Sequence, residues 1–152
     1  MYQILLSIHS YWRWGVLISL LFSCIKSGID FRKNHGYSVV DELVRKVTVS
    51  IIHVQLLLGF TIYFISPLVA FFFKNVNEGL HLREIRFFAI EHSLMMVVSI
   101  VIVTIGAVKI KRKETSKLKH KATLIWFSIA LFIILLNIPW EFSPLVNRPS
   151  FR

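Results

Sequence analysis

The stretch Phe87–Ile110, FFAIEHSLMMVVSIVIVTIGAVKI, decides the fold, because between Glu91 and Lys109 it contains no Asp, Glu, Lys or Arg. At about 1.5 Å per residue such a helix is about 36 Å long, enough to cross the ~30 Å of a bilayer's hydrocarbon. Working outward, three further runs share its character: Ile4–Ile25, Val47–Phe73, and one drawn over residues 120–140 whose apolar part begins at Ala122. With 55% hydrophobic residues in 152 and a mean hydropathy of +0.66, the chain holds more apolar surface than one soluble core could bury. Lipid must cover the remainder. The sequence therefore predicts an all-α membrane protein. It is a single domain over residues 1–152, an up-down four-helix transmembrane bundle with helices at roughly 4–25, 47–73, 87–110 and 120–140.

Local signals refine this outline. Pro67 lies late in the second run, where a proline either bends a helix or stops it, so that run ends near Ser66 or continues bent through Phe73. Met1 leads directly into apolar sequence without a basic segment or a small-residue cleavage site, so the first helix is expected to remain in the mature protein. One cysteine, Cys24, excludes an internal disulfide and any cysteine-rich metal motif. The net charge of +10 is distributed between the apolar runs rather than along an aromatic face, which favours anionic lipid headgroups over nucleic acid as its partner.

Charge also sets the expected orientation. Lys26, Arg32, Lys33, Arg45 and Lys46 lie between runs one and two, and Lys109, Lys111, Arg112, Lys113, Lys117, Lys119 and Lys121 between runs three and four. The other side has only Lys74, Arg83, Arg86, Arg148 and Arg152, with Arg13 inside the first run. The positive-inside rule places the first set in the cytoplasm and both termini on the outer side. Trp12, Trp14 and Trp140 near the outer ends agree with this.

Ionisable residues inside spans face the bundle interior and mark function more often than packing. Here they are histidines: His9, His53, His92 and His120, one per helix. By helix rise, His9 lies ~24 Å above a cytoplasmic end at Ile25, and His92 ~24 Å above one at Val108. Runs one and three are parallel and diagonal in an up-down bundle, so two inward imidazoles at one depth can ligate a haem iron from both faces. Arg13, one turn from His9, would meet a haem propionate or pair with Glu91. His53 and His120 form a weaker second pair for a second haem iron. His53 lies ~9 Å above Val47, and His120 lies at the boundary, where in Lys119-His120-Lys121 it reads equally as an interfacial residue near phosphate headgroups. Against ligation stands interhelical hydrogen bonding, which accounts for histidines without any cofactor. Met95 and Met96 are packing residues or alternative ligands, and a His-Met set would also suit copper. Tyr63 with Gly59 and Ser66, and Asn137 with Glu141, make the outer halves of runs two and four more polar. No phosphate loop, zinc-protease motif or serine elbow is present, and no chain of carboxylates for pumping.

The segments His9-Ser10-x-x-Arg13-Trp14, His53-x-Gln55-Leu56-Leu57-Leu58-Gly59, Tyr63-Phe64-x-Ser66-Pro67, Glu91-His92-x-x-Met95-Met96, Lys119-His120-Lys121 and Ile138-Pro139-Trp140 resemble a family of small four-helix proteins of Bacteroidota inner membranes, labelled cytochrome b-like. The resemblance covers nearly the whole chain. Glu141 departs from it, standing where a proline often follows Ile-Pro-Trp. More distantly the layout looks like copper-resistance D and bacterial protoporphyrinogen-oxidase membrane proteins, although no lysine lies inside run three as in that oxidase family. Its diagonal pairing also resembles the core of cytochrome b561 proteins. These resemblances imply haem b, electron transfer within the inner membrane, and a redox partner protein or quinone. An accessory scaffold without cofactor, or a porphyrin-oxidising enzyme, are the alternatives.

Overall fold

The computed structural model describes residues 1–140, which are helical throughout apart from short connections and hold no strand. Glu141, Arg148 and Arg152 lie outside the described residues. Helix α1 is Tyr2–Lys33, α2 Val39–Ile65, α3 Pro67–Lys74, α4 Val76–His81, α5 Arg83–Arg86, α6 His92–Lys111 and α7 Ser116–Asn137, with a π-helical turn, Phe87–Glu91, joining α5 to α6. Four segments are long and apolar enough to cross a membrane: α1, α2, the continuous Arg83–Lys111 run and α7. The protein is a multi-pass membrane protein.

The helix ends depart from the apolar runs for local reasons. Helix α1 continues past Ile25 to Lys33, and Asn34 closes it in the left-handed conformation at φ 54°, which asparagine tolerates. Helix α2 starts well before Val47 because Ser38 and Asp41 form a reciprocal capping box: Ser38 Oγ accepts from the Asp41 N–H at 3.3 Å while the Ser38 N–H donates to Asp41 Oδ2 at 2.7 Å. It stops at Ile65, not Phe73. Pro67 begins a separate helix, α3, whose first turn Ser66 caps. Thr115 caps α7, accepting from the Leu118 N–H at 3.3 Å, so this helix starts at Ser116 and ends at Asn137. Replacing Ser38 by alanine is expected to cost about 1 kcal/mol, read as an earlier unfolding midpoint in mixed SDS and dodecyl maltoside micelles.

Around the bundle α1 packs on α2 and α7, and α6 packs on α7 and α2, which makes α1–α6 and α2–α7 the diagonals. Leu20, Ile52, Val103, Ile110, Phe127 and Ala130 fill the core with almost no exposure. The outward faces carry Ile18, Phe22, Leu57, Phe64, Phe132 and Leu136, an apolar belt that matches lipid rather than water. Because hydrocarbon outside is as apolar as the core, polar links and close approach hold the helices together. Ser23 and Thr48 share a buried hydrogen bond of 2.9 Å between α1 and α2, Trp12 Nε1 donates to the Ile51 carbonyl at 3.0 Å, and buried Arg45 donates to the Ala107 carbonyl at 3.3 Å. At the end opposite the basic loops, α3, α4 and α5 fold over the bundle. Val69 and Phe72 pack on Ala89, and the Tyr63 hydroxyl donates to the Ala89 carbonyl at 3.0 Å.

Candidate cofactor cavity

Beneath that cap the four long helices separate around a cavity of about 540 Å³. Its walls are mostly hydrocarbon, from Leu6, Val16, Ile52, Leu56, Ile100, Ile134 and others, with a few polar side chains set among them: His9, Ser10 and Arg13 from α1, Gln55 and Tyr63 from α2, and His92 and Ser93 from α6. The volume and the pattern are those of a cofactor or small-ligand pocket.

His9 and His92 thus meet the same space from diagonal helices, as their matched depths predict. Each ring is held by one nitrogen. His92 Nδ1 donates to the Asn137 carbonyl at 2.8 Å, where α7 ends and leaves that acceptor without a helical donor. This fixes the tautomer and leaves the lone pair on Nε2. The rings of Phe87 and Phe88, from the π-helical turn, lie 5.7 and 6.0 Å from the imidazole and brace it. His9 Nε2 lies 3.3 Å from the Gln55 amide nitrogen, which also donates to the His9 carbonyl at 3.1 Å, while His9 Nδ1 has no partner. With the amide nitrogen donating to Nε2, the ring proton sits on Nδ1, and Nε2 becomes a ligand once Gln55 gives up this contact. Gly59 makes room for the ring: a Cβ there would stand 3.3 Å from His9 Cε1.

Arg13 also lines the cavity, its guanidinium 5.6 Å from the centre of the Trp14 indole. The expected Arg13–Glu91 alternative does not form. Glu91 instead accepts from Arg86 Nε at 2.8 Å, an ion pair at the surface of the cap that needs no buried guanidinium. No carboxylate is among the described lining residues.

The second histidine pair has a different setting. His53 Nδ1 donates to the Val49 carbonyl at 2.7 Å within its own helix, and its Nε2 lies 3.3 Å from Thr104 Oγ1, whose hydrogen goes to the Ile100 carbonyl at 2.8 Å. His120 is fully buried at the basic-loop end with Tyr37 tilted against it, ring centres 5.2 Å apart, and neither nitrogen has a partner. Neither residue borders the large cavity. Of the methionines, Met96 lines it and Met95 does not.

Sequence reasoning missed the grip on the two rings. Gln55, two residues after His53 and thus on another helix face, was visible as a polar residue in a span. The Asn137 carbonyl was not, because a backbone acceptor has no sequence signature until the end of α7 is known. No protein-family model, curated protein or solved structure matches the chain.

Proposed function

We propose that the protein binds one b-type haem between His9 and His92 and serves electron transfer in a bacterial inner membrane. The observation that carries this reading is the pair of imidazoles on diagonal helices bordering one apolar cavity, His92 anchored through Nδ1 with Nε2 left over and His9 held beside it by Gln55. Anchoring of this kind is how proteins orient imidazole ligands. Arg13 would meet a propionate, and the hydrocarbon walls would receive the macrocycle. Iron with two imidazole ligands has no open position, so its chemistry is one-electron transfer rather than oxygen binding. The charge distribution supports an orientation with the basic loops in the cytoplasm and the cavity toward the periplasm. A quinol or a redox protein would then reach the haem from the periplasmic half. That neither His53 nor His120 borders the cavity favours one haem over two.

The test is the visible spectrum of detergent-purified protein from haem-replete cells, air-oxidised and then dithionite-reduced, with pyridine haemochrome per chain. One equivalent with sharp reduced bands is the expected result. A colourless protein would leave the cofactor-free scaffold, and metal analysis showing copper would assign His9, His92 and Met96 to that ion instead.

A further inference from the structure

We propose that Asp30, Asp41 and His120 form a site for a divalent transition-metal ion at the basic-loop end of the bundle, remote from the histidine cavity. The three side chains come from α1, α2 and α7, all are buried, and their ligand atoms lie within 4.8 Å of one another. They share no residue with the cavity.

Two features mark this as more than a pair of acids. His120 is 0% exposed and neither ring nitrogen has a hydrogen-bond partner, an expensive arrangement that a bound cation would relieve. The carboxylates are also oriented from outside. Asp41 Oδ2 accepts from the Ser38 N–H and Oγ–H, both at 2.7 Å, which turns Oδ1 inward, and Asp30 Oδ1 is held by His35 Nδ1 at 2.9 Å, which turns Oδ2 inward. Such outer hydrogen bonds are the usual support of metal-binding carboxylates.

The two inward oxygens converge on one cation, the Lys26 ammonium, which contacts Asp30 Oδ2 at 2.7 Å and Asp41 Oδ1 more closely. Lys26 keeps 28% of its side chain exposed, so it can swing into water and yield the position. An ammonium donates only to oxygen here and leaves His120 unused, whereas a divalent ion takes both carboxylates and the imidazole and balances the two negative charges. Two oxygens and an imidazole nitrogen suit zinc, whose four ligands stand about 3.3 Å apart, so the cluster tightens by at most about 1.5 Å once Lys26 leaves.

The experiment is equilibrium dialysis of the purified full chain in detergent against zinc chloride, with zinc and haem both quantified. Wild type is expected to bind one zinc per chain. Lys26→Met, which removes the competing ammonium, should tighten binding by about 10-fold, and His120→Phe should weaken it beyond the about 10–100-fold that loss of an outer partner costs. The opposite signs are decisive, since a site that is only a salt bridge predicts no zinc in any variant. Should His120→Phe fail to insert, Asp30→Asn, which keeps size and an acceptor for Lys26, must show the same loss. Zinc binding unchanged in His120→Phe, absent from both wild type and Lys26→Met, or a haem equivalent lost with His120, would each overturn the assignment.

Discussion

A His92→Ala protein, purified from haem-replete cells, is expected to arrive nearly colourless, with haem affinity lowered at least about 100-fold, or about 2.7 kcal/mol. The size of the effect follows from how the ring is held. Asn137 fixes Nδ1, Phe87 and Phe88 pack against the imidazole, and the π-helical turn just before it brings those rings there, so one nitrogen is presented in one direction. Alanine removes the ligand and leaves the Asn137 carbonyl without its donor, which would itself loosen the α6–α7 end. Exogenous imidazole separates the two effects. If His92 is an iron ligand, free imidazole diffusing into the space should restore the reduced spectrum; if it serves only as a hydrogen-bond donor between helices, imidazole should restore nothing. His53→Ala is the matched control and should keep its haem, because His53 does not border the cavity. Full haem content in His92→Ala would remove the ligand assignment altogether.

The residues that could be read from sequence and those that could not divide along a physical line. Four spans were legible because charge-free runs long enough to cross lipid have no other common explanation. Their ends were not, because hydropathy marks where lipid stops and not where the helix stops. Helix α1 runs on through Lys26 and Asp30, an (i, i+4) pair that stabilises a polar extension, and the capping box at Ser38 starts α2 in water. The match between His9 and His92 was legible because depth along two parallel helices depends only on rise per residue. His120 was legible as a boundary residue that either ligates or meets headgroups, but its complete burial and its surroundings were not. The extensions of α1 and α2 that carry Asp30 and Asp41 lay in what sequence reads as a basic loop, so the mismatch in depth between His53 and His120 had no visible resolution. In the structure His120 faces those carboxylates. The rival Arg13–Glu91 pair likewise depended on which way Glu91 turns, and the fold of the α4–α5 cap supplies Arg86 to it first.

Adding a single methyl group at Gly106 is expected to destabilise the bundle by about 1–3 kcal/mol, the cost of overpacking a filled site. Gly106 lies where α6 meets α7, and an ideal Cβ there would stand 2.6 Å from Trp126 Cβ and 2.9 Å from its Cγ. Those atoms sit at the root of the indole, so no rotation of the ring relieves the clash and the helices themselves must part. Lys109 lies over the same indole at 4.9 Å, which ties its position further. Glycine to alanine in a helix ordinarily gains about 1 kcal/mol from propensity, so a net loss isolates the packing term. Gly28→Ala provides the comparison on the neighbouring α1–α7 contact, where the new Cβ would meet Leu124 Cδ1 at an ordinary 3.7 Å and the substitution should be neutral or stabilising. Unfolding of both variants in mixed SDS and dodecyl maltoside micelles reads the difference directly. Equal stability of the two would mean that α6 and α7 do not approach this closely in the membrane. The consequence reaches the cavity, because His92 on α6 is anchored to the end of α7. Helices forced apart at Gly106 pull that anchor with them, so Gly106→Ala should also lower haem retention although it lies more than three turns from the nearest proposed ligand.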